Sequence, residues 1–406
     1  MSAFLLLLTT SRFAASVAMM IYAGSLPFLL DEWGMSGTEA GAIQSVFNLA
    51  YAISLLVTSW LSDHIGAKRV FLASNAFSLA AFALFALAAR SYESALILYG
   101  IVGLTLGGSY TPALMLVAAK VPSSLRGTAM GVVLAGSSLG YCAAIALAAS
   151  GIPIFGYRST WAIVAIILCV GLAASVASLI KEPNRAYGRE ETGGSEGSFS
   201  SALVSRRSIL LTAGYTAHCW ELLGMWAWAP AFLTITLARQ IEWPAATLGI
   251  VIACILHFSG AVSTLVSGSL SDRFGRRFIL VSMALLGAVL SFFFGWSSSW
   301  SATIILVLAA LYGFATIADS GVLSTAMTES VPQHYLGSML ALRSILGFGA
   351  GAVSPLAFGW VLDLSNPGQT GPSNWGWAFA MLGLGGALAA LFAILLPRDA
   401  KQPSTS

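Results

Sequence analysis

The chain contains 406 residues, of which 57% are hydrophobic and only 9% are charged. This composition excludes an ordinary water-soluble surface and predicts a protein that lies in a lipid bilayer. The formal net charge is only +3, and we do not expect nucleic-acid binding from it.

Breaks at glycine, proline and charged residues divide the chain into about twelve apolar segments, each close to the roughly 20 residues that a membrane-spanning helix needs. The predicted spans lie at 4–30, 38–60, 70–90, 93–119, 126–149, 159–180, 208–236, 243–267, 278–297, 300–328, 339–363 and 375–396. A stretch rich in Gly, Ser and Glu follows the sixth span and is typical of a flexible linker. We therefore predict an all-α membrane protein with an N-terminal six-helix bundle at 1–180, a cytoplasmic linker at 181–207, and a C-terminal six-helix bundle with a short tail at 208–406.

Lysine and arginine are concentrated in the loops on one side of this arrangement, and the positive-inside rule predicts that both termini are cytoplasmic. Arg12 lies inside the long first apolar segment, so we expect no cleavable signal peptide. The compact loops indicate a bacterial inner membrane. Cys142, Cys169, Cys219 and Cys254 all fall in predicted helices without the spacing of a disulfide framework or a metal site. We expect no cofactor and no metal.

Two sequence elements occur twice in the chain. The sequence LSDHIG at 61–66 recurs as LSDRFG at 270–275, and the pair Val121-Pro122 recurs as Val331-Pro332. Internal repeats in membrane proteins with many spans are typical of two bundles that move about a binding site near the middle of the bilayer. The repeat therefore predicts two pseudo-symmetric halves.

The segment GSLSDRFGRR at 268–277 resembles the signature loop of the major facilitator superfamily, which joins helices 2 and 3 and often helices 8 and 9. The first copy, at 59–68, is degraded: Ser59 replaces the glycine, His64 the first basic residue and Ala67 one of the paired cations. The resemblance implies a monomeric secondary transporter of twelve helices. It also implies that helices 1, 4, 7 and 10 line a central cavity while helices 3, 6, 9 and 12 face lipid.

An aspartate at a helix end, beside a glycine turn and paired cations, can accept hydrogen bonds from the N-terminus of a neighbouring helix. Such a contact can stabilise one conformation, so we predict that the repeated loop governs switching between inward-open and outward-open states. The alternative is a static cap that fixes the loops. The predicted switch residues are Asp63, Gly66, Lys68, Asp272, Arg273, Gly275, Arg276 and Arg277.

The interiors of predicted helices 3, 6, 9 and 12 contain no ionisable side chain, whereas several other helices do. An intramembrane charge costs about 2.5–3.5 kcal/mol on insertion scales and by default indicates function. Glu221 and Asp319 lie at mid-depth, and His218 lies one turn before Glu221 on the same face. We predict that these three residues couple transport to protons. The alternative is a structural pair in which a carboxylate neutralises Arg12 or Arg343.

Arg12 lies on the order of 12 Å inside helix 1, where its guanidinium can hold a carboxylate or a phosphate. This position favours an anionic substrate. Arg343 lies nearer the cytoplasmic face, and snorkelling to water is the alternative for it. Interhelical hydrogen bonding or packing is the alternative for the polar and aromatic residues. The predicted substrate contacts are Arg12, Gln44, Asn48, Tyr110, Trp220, Tyr312 and Arg343.

We predict a transporter that moves a small organic anion by alternating access and is coupled to protons, with the lipid bilayer as its surroundings. An exporter of amphipathic or cationic compounds is the alternative. It is less favoured because Tyr99 stands where related drug exporters often carry an arginine, four residues before Gly103. A membrane sensor without transport is a remote alternative. The sequence contains no metalloprotease motif, nucleophile elbow or P-loop, so we do not expect an enzyme.

Overall fold

The computed structural model describes residues 3–184, 205–331, 333–368 and 373–397. Within these ranges the chain is helical apart from short turns and contains no β-strand. The helices of the first half are α1 (Ala3–Glu32), α2 (Gly37–Ile65), α3 (Ala67–Ala88), α4 (Tyr92–Leu106), α5 (Thr111–Lys120) and α6 (Ser123–Leu179). Those of the second half are α7 (Arg206–Leu237), α8 (Ala245–Phe274), α9 (Arg276–Trp296), α10 (Ala302–Thr328), α11 (Gln333–Ser365) and α12 (Gly376–Ile394).

Ten helical segments of the described residues are long and apolar enough to cross a bilayer, with α4 and α5 forming one of them. The segment Ala129–Leu179 contains 51 residues and is about 77 Å long, more than twice the roughly 30 Å of a hydrocarbon core. It bends at Gly156, whose φ of 74° and ψ of 163° are not helical, so α6 contains two spans. Helix α7, of 32 residues, supplies a further span, although it carries His218 and Glu221. The predicted all-α fold with about twelve spans is confirmed.

Residues 185–204, which make up most of the predicted linker, lie outside the described residues. The same holds for residues 398–406 of the tail and for Pro332 of the second repeat. The exact boundaries of the two halves therefore stay a prediction.

The repeated loops have the same backbone geometry in both halves. Gly66 follows α2 with a φ of 94°, and Gly275 follows α8 with a φ of 89°. Each glycine donates its N–H to a serine carbonyl four residues earlier, at 3.0 Å in both loops. Positive φ is adopted at little cost only by glycine. The matching turns support the predicted pseudo-symmetry.

The two halves meet where α2 packs against α11, α6 against α8 and α1 against α7. Glycine permits very close approach there, since a Cβ atom added at Gly359 would lie 1.9 Å from the carbonyl oxygen of Gly37. At the same end of the molecule Asp363 of α11 accepts hydrogen bonds from the first turn of α2. Its carboxylate receives the N–H of Gly37 at 2.6 Å, and the N–H and hydroxyl of Thr38 at 2.8 and 2.6 Å. This end lies opposite the chain termini.

Candidate substrate site

A cavity of about 320 Å³ lies between the two halves. Its volume falls in the range of roughly 300 to 1,000 Å³ that is usual for small-molecule sites. It is lined by α1, α2, α6 and the connection between α4 and α5 from the first half, and by α7, α10 and α11 from the second. The predicted site residues that line it are Arg12, Gln44, Asn48, Tyr110, His218 and Arg343.

Arg12 of α1 is buried and is held by neutral groups. Its Nε donates to Oγ of Ser137 at 2.8 Å, and its Nη1 donates to Oγ of Ser109 at 3.0 Å. The guanidinium carbon lies 4.9 Å from the centre of the Tyr110 ring, within cation–π range. A 3-10 turn at Gly107–Ser109 interrupts the fourth span and brings Ser109 and Tyr110 to Arg12. These partners orient the guanidinium without neutralising it.

Arg343 of α11 is only 7% exposed. Its guanidinium carbon lies 4.0 Å from the centre of the Tyr215 ring, and its Nη2 donates to Oγ of Ser324 at 3.1 Å. Its Nε and Nη1 are buried, and no hydrogen-bond partner for them lies among the described residues. The side chain therefore lies in the cavity wall with unused donors, whereas the sequence had left snorkelling to water open.

Neither arginine is paired with a carboxylate in the described part of the chain. Ion pairs within 4.0 Å were found there, but none involves Arg12 or Arg343. The described residues that line the cavity include no aspartate or glutamate. A buried charge without a counter-charge is costly, because its lost hydration is not replaced. The cavity is thus a positive site that a bound anion would stabilise.

Aromatic rings form much of the cavity wall. The ring centres of Tyr141 and Trp226 lie 5.5 Å apart, and those of Tyr51 and Phe348 lie 6.4 Å apart. Both contacts join the first half to the second. Such rings pack well on a planar or conjugated ligand, and tyrosine adds a hydroxyl for hydrogen bonding. The tyrosines of the wall are Tyr51, Tyr110, Tyr141 and Tyr215.

Two amides of α2 also reach the cavity. Gln44 donates from Nε2 to Oδ1 of Asn48 at 3.0 Å, and Asn48 donates from Nδ2 to the carbonyl of Gly351 at 3.4 Å. Oε1 of Gln44 is buried, and none of the described residues donates a hydrogen bond to it. The amides thus serve the contact between the halves and keep one acceptor for a ligand donor.

His218 connects the cavity to a buried carboxylate. Its Nδ1 lies 2.8 Å from Oδ1 of Asp319, and its Nε2 lies 2.7 Å from Oγ of Ser320. His218 and Ser320 line the cavity, whereas Asp319 does not. His218 therefore lies between the cavity and the buried carboxyl group of Asp319.

Glu221 is buried but does not line the cavity. A Cβ atom added at Gly386 would lie 2.4 Å from its Oε2, and one added at Gly287 would lie 3.4 Å from it. The carboxyl group therefore packs against glycines of α12 and α9. His218 contacts α10 instead, so the two residues do not form the contacting pair expected from their spacing.

Two predicted substrate contacts lie outside the cavity. Trp220 lines an apolar groove between α7, α11 and α12, where its Nε1 donates to the carbonyl of Met381 at 3.4 Å. Tyr312 is buried in the second half and donates its hydroxyl to Oγ of Ser291 at 2.9 Å. Trp220 follows His218 by two positions, or about 200° around the helix. It therefore faces away from the cavity that His218 lines.

Sequence reasoning overlooked several residues that shape the site. Tyr215 precedes His218 by three positions, so extending the polar face of α7 by one turn would have included it. Tyr141 lies in the interior of a predicted span, which is itself a signal for a polar aromatic residue. Ser109 and Ser137 carry no such signal, because isolated serines are common in membrane helices and only their contact with Arg12 reveals them.

In the second repeated loop, the charged residues contact their own half. Asp272 pairs with Arg276, which also pairs with Glu329 at the end of α10 at 2.9 Å. Arg277 donates from Nη2 to the carbonyl of Ile394 in α12 at 2.5 Å. These contacts join the ends of α8, α9, α10 and α12.

The first repeated loop is similar. Lys68 donates from Nζ to the carbonyl of Glu182 at 2.6 Å. Asp63 of this loop is exposed. In the second loop Arg273 is also exposed, and its guanidinium carbon lies 5.2 Å from the centre of the Phe274 ring. The contacts of both loops suit a cap in this conformation, and the switching role stays a prediction.

The comparison with known families identifies the class of this protein. The model of the Major Facilitator Superfamily matches residues 8–235 and 217–406, and the chain belongs to this superfamily. It is an integral membrane transporter with many spans, and not an enzyme.

Individual proteins similar to the chain are transporters as well. The probable 4-methylmuconolactone transporter of Cupriavidus pinatubonensis is 26% identical, over 85% of this chain and 80% of that protein. The cis,cis-muconate transport protein of Acinetobacter baylyi is 27% identical, over 84% of this chain and 83% of that protein. The solved structure of the nucleoside transporter NupG superimposes with a TM-score of 0.77 over 96% of this chain and 98% of that one. At 13% identity this likeness shows the fold alone.

Proposed function

We propose that the protein is a secondary transporter of a small organic anion and that a carboxylate is the group the cavity binds. The observation that carries this proposal is the pair of buried arginines, Arg12 and Arg343, for which the described residues supply no acidic partner. The names of the two relatives agree with it, because muconate and 4-methylmuconolactone both bear a carboxylate. Gln44, Asn48 and Tyr110 complete the contacts we assign to the substrate.

The absence of acidic side chains from the described cavity lining disfavours the exporter of cationic compounds. A cation would have to enter a site that already holds two guanidinium groups. Their repulsion in a medium of low dielectric constant opposes such binding.

We further propose that His218 and Asp319 couple transport to protons, with Glu221 as a second buried carboxyl group. The contact of 2.8 Å between His218 and Asp319 and the position of His218 in the cavity wall support this role.

The orientation follows from the distribution of basic residues, and we propose that both termini lie in the cytoplasm of a bacterial cell. The end at which Asp363 contacts α2 is then extracytoplasmic. We also propose that the protein acts as a monomer, with halves at 1–180 and 208–406 and a linker at 181–207.

A thermal-shift titration of the purified protein tests the anion proposal. Stabilisation grows with ligand concentration relative to Kd, so we expect monocarboxylates to raise the Tm and organic cations of similar size to leave it unchanged. The variant Arg12→Gln should lose the shift, whereas Arg239→Gln, at an exposed arginine outside the cavity, should keep it. Stabilisation by cations alone, removed by Asp319→Asn, would replace this proposal with the exporter.

A further inference from the structure

We infer that the preferred substrate is a dianion, an unsaturated or aromatic dicarboxylate whose two carboxylates are bound by Arg12 of the first half and Arg343 of the second. This inference rests on the proposed function, because it assumes that the cavity binds organic anions. Beyond the proposed function, it specifies that the substrate has two carboxylates, that Arg343 binds the second one, and that an unsaturated or aromatic spacer joins them.

The positive charge of the cavity favours a ligand with two negative charges. Arg12 and Arg343 both line it, and each is more than nine-tenths buried. Asp319 lies against His218 of the lining and forms no ion pair with either arginine among the described residues. A monoanion would neutralise one guanidinium and leave the other buried without a counter-charge. A dianion neutralises both, so its second carboxylate removes the cost of burying the second guanidinium without a counter-charge.

The second argument is the state of the Arg343 side chain. Arg12 has serine partners on two of its nitrogens. Arg343 has one serine partner, and its Nε and Nη1 are buried without a hydrogen-bond partner among the described residues. A buried donor without a partner destabilises the protein. Charge-assisted hydrogen bonds to a carboxylate are the strongest that these two donors can form.

The third argument concerns the part of the ligand between the two carboxylates. Each guanidinium lies over a tyrosine, Arg12 over Tyr110 and Arg343 over Tyr215. Tyr51 and Tyr141 line the same cavity. Aromatic walls favour a flat, conjugated spacer over a flexible polar one. The cavity also contains no acidic group in its described lining that would repel the ligand at its centre.

The relatives do not decide the number of charges. One is named for 4-methylmuconolactone, which bears a single carboxylate, and the other for cis,cis-muconate, which bears two. The arginines of this chain favour the second type. A dianion held in this way would also join the two halves through its own length, so that binding stabilises their contact around the cavity.

The test compares two ligands that share a carbon skeleton and differ by one carboxylate. The dicarboxylate trans,trans-muconate and the monocarboxylate sorbate both contain a six-carbon chain with two conjugated double bonds. We expect the purified full-length protein to bind muconate at least about tenfold more tightly than sorbate at neutral pH, measured as Kd by titration calorimetry. Terephthalate and 4-methylbenzoate form a second pair, with an aromatic spacer.

Variants at Arg343 show whether this residue binds the second carboxylate. In Arg343→Gln we expect the ratio of the two Kd values to fall to within about threefold of one, with sorbate affinity nearly unchanged. The matched control Arg239→Gln should keep the wild-type ratio. If Arg343→Gln binds neither ligand, Arg343→Lys decides. A retained preference for muconate supports the inference, and sorbate binding without that preference overturns it.

The outcomes separate this inference from the proposed function. Equal binding of muconate and sorbate by the wild type would overturn the dianion and leave the organic-anion transporter standing. Binding of neither carboxylate pair, together with binding of organic cations, would overturn both.

Discussion

Arg12 and Arg343 differ in the hydrogen-bond partners of their guanidinium groups. Arg12 is oriented by two serines from separate helices, whereas Arg343 has one serine partner and two buried donors for which the described part of the chain supplies none. Their tyrosine neighbours lower the cost of burial but supply no negative charge. The two guanidinium groups thus remain positively charged and unneutralised in the cavity wall, which favours the binding of an anion.

His218 is the cavity residue that we propose to couple anion transport to protons. It contacts Asp319 on one side and Ser320 on the other. If this group carries the coupled proton, His218→Gln and Asp319→Asn should abolish uptake driven by a pH gradient while exchange of labelled for unlabelled substrate continues. Both rates can be measured in proteoliposomes. The exposed Glu242→Gln is the control, and gradient-driven accumulation in the His218 and Asp319 variants at wild-type level would contradict the assignment.

Helix α2 and helix α11 form the closest contact between the halves. Gly37, Gly41 and Gly359 leave no room for a Cβ atom between the two backbones. Asp363 adds a carboxylate at the N-terminus of α2, where the free N–H groups and the helix dipole favour negative charge. These helices must separate if the cavity is to open at this end.

Removing the charge of Asp363 should therefore favour opening at the end opposite the termini. We expect Asp363→Asn to weaken the contact by about 1 kcal/mol, which corresponds to roughly fivefold faster access. The measurement is the rate at which a membrane-impermeant maleimide labels Gln44→Cys in right-side-out vesicles, after the four native cysteines have been replaced.

Asp31→Asn is the matched control, because Asp31 is exposed at the end of α1 on the same side. Its labelling rate should equal that of the parent protein. Unchanged labelling in Asp363→Asn would show that this contact does not hold the halves together.

Hydropathy and the repeat were enough to predict the helices, because lipid requires every span to satisfy its backbone internally and to be about 20 residues long. Charged residues inside the membrane and the family resemblance indicated Arg12, Arg343 and His218, and all three line the cavity. Trp220 and Tyr312 do not line it, since a sequence shows which residues share a helix face but not which neighbour that face meets. The serines beside Arg12 were hidden for the same reason.

As a whole, the molecule is a pair of pseudo-symmetric bundles around one positive, aromatic cavity. Each half contributes one buried arginine to it, from α1 and from α11. A ligand that contacts both is bound between two bodies that must move relative to each other in alternating access. We therefore propose that an organic anion moves across the membrane through this cavity.

Sorbate counterflow in proteoliposomes tests this claim most directly. Vesicles loaded with unlabelled sorbate should transiently accumulate labelled sorbate from outside when they contain the wild-type protein or Arg239→Gln. Vesicles with Arg12→Gln should not. If the wild type shows no counterflow of any carboxylate but does show counterflow of an amphipathic cation, the account of an anion transporter is contradicted.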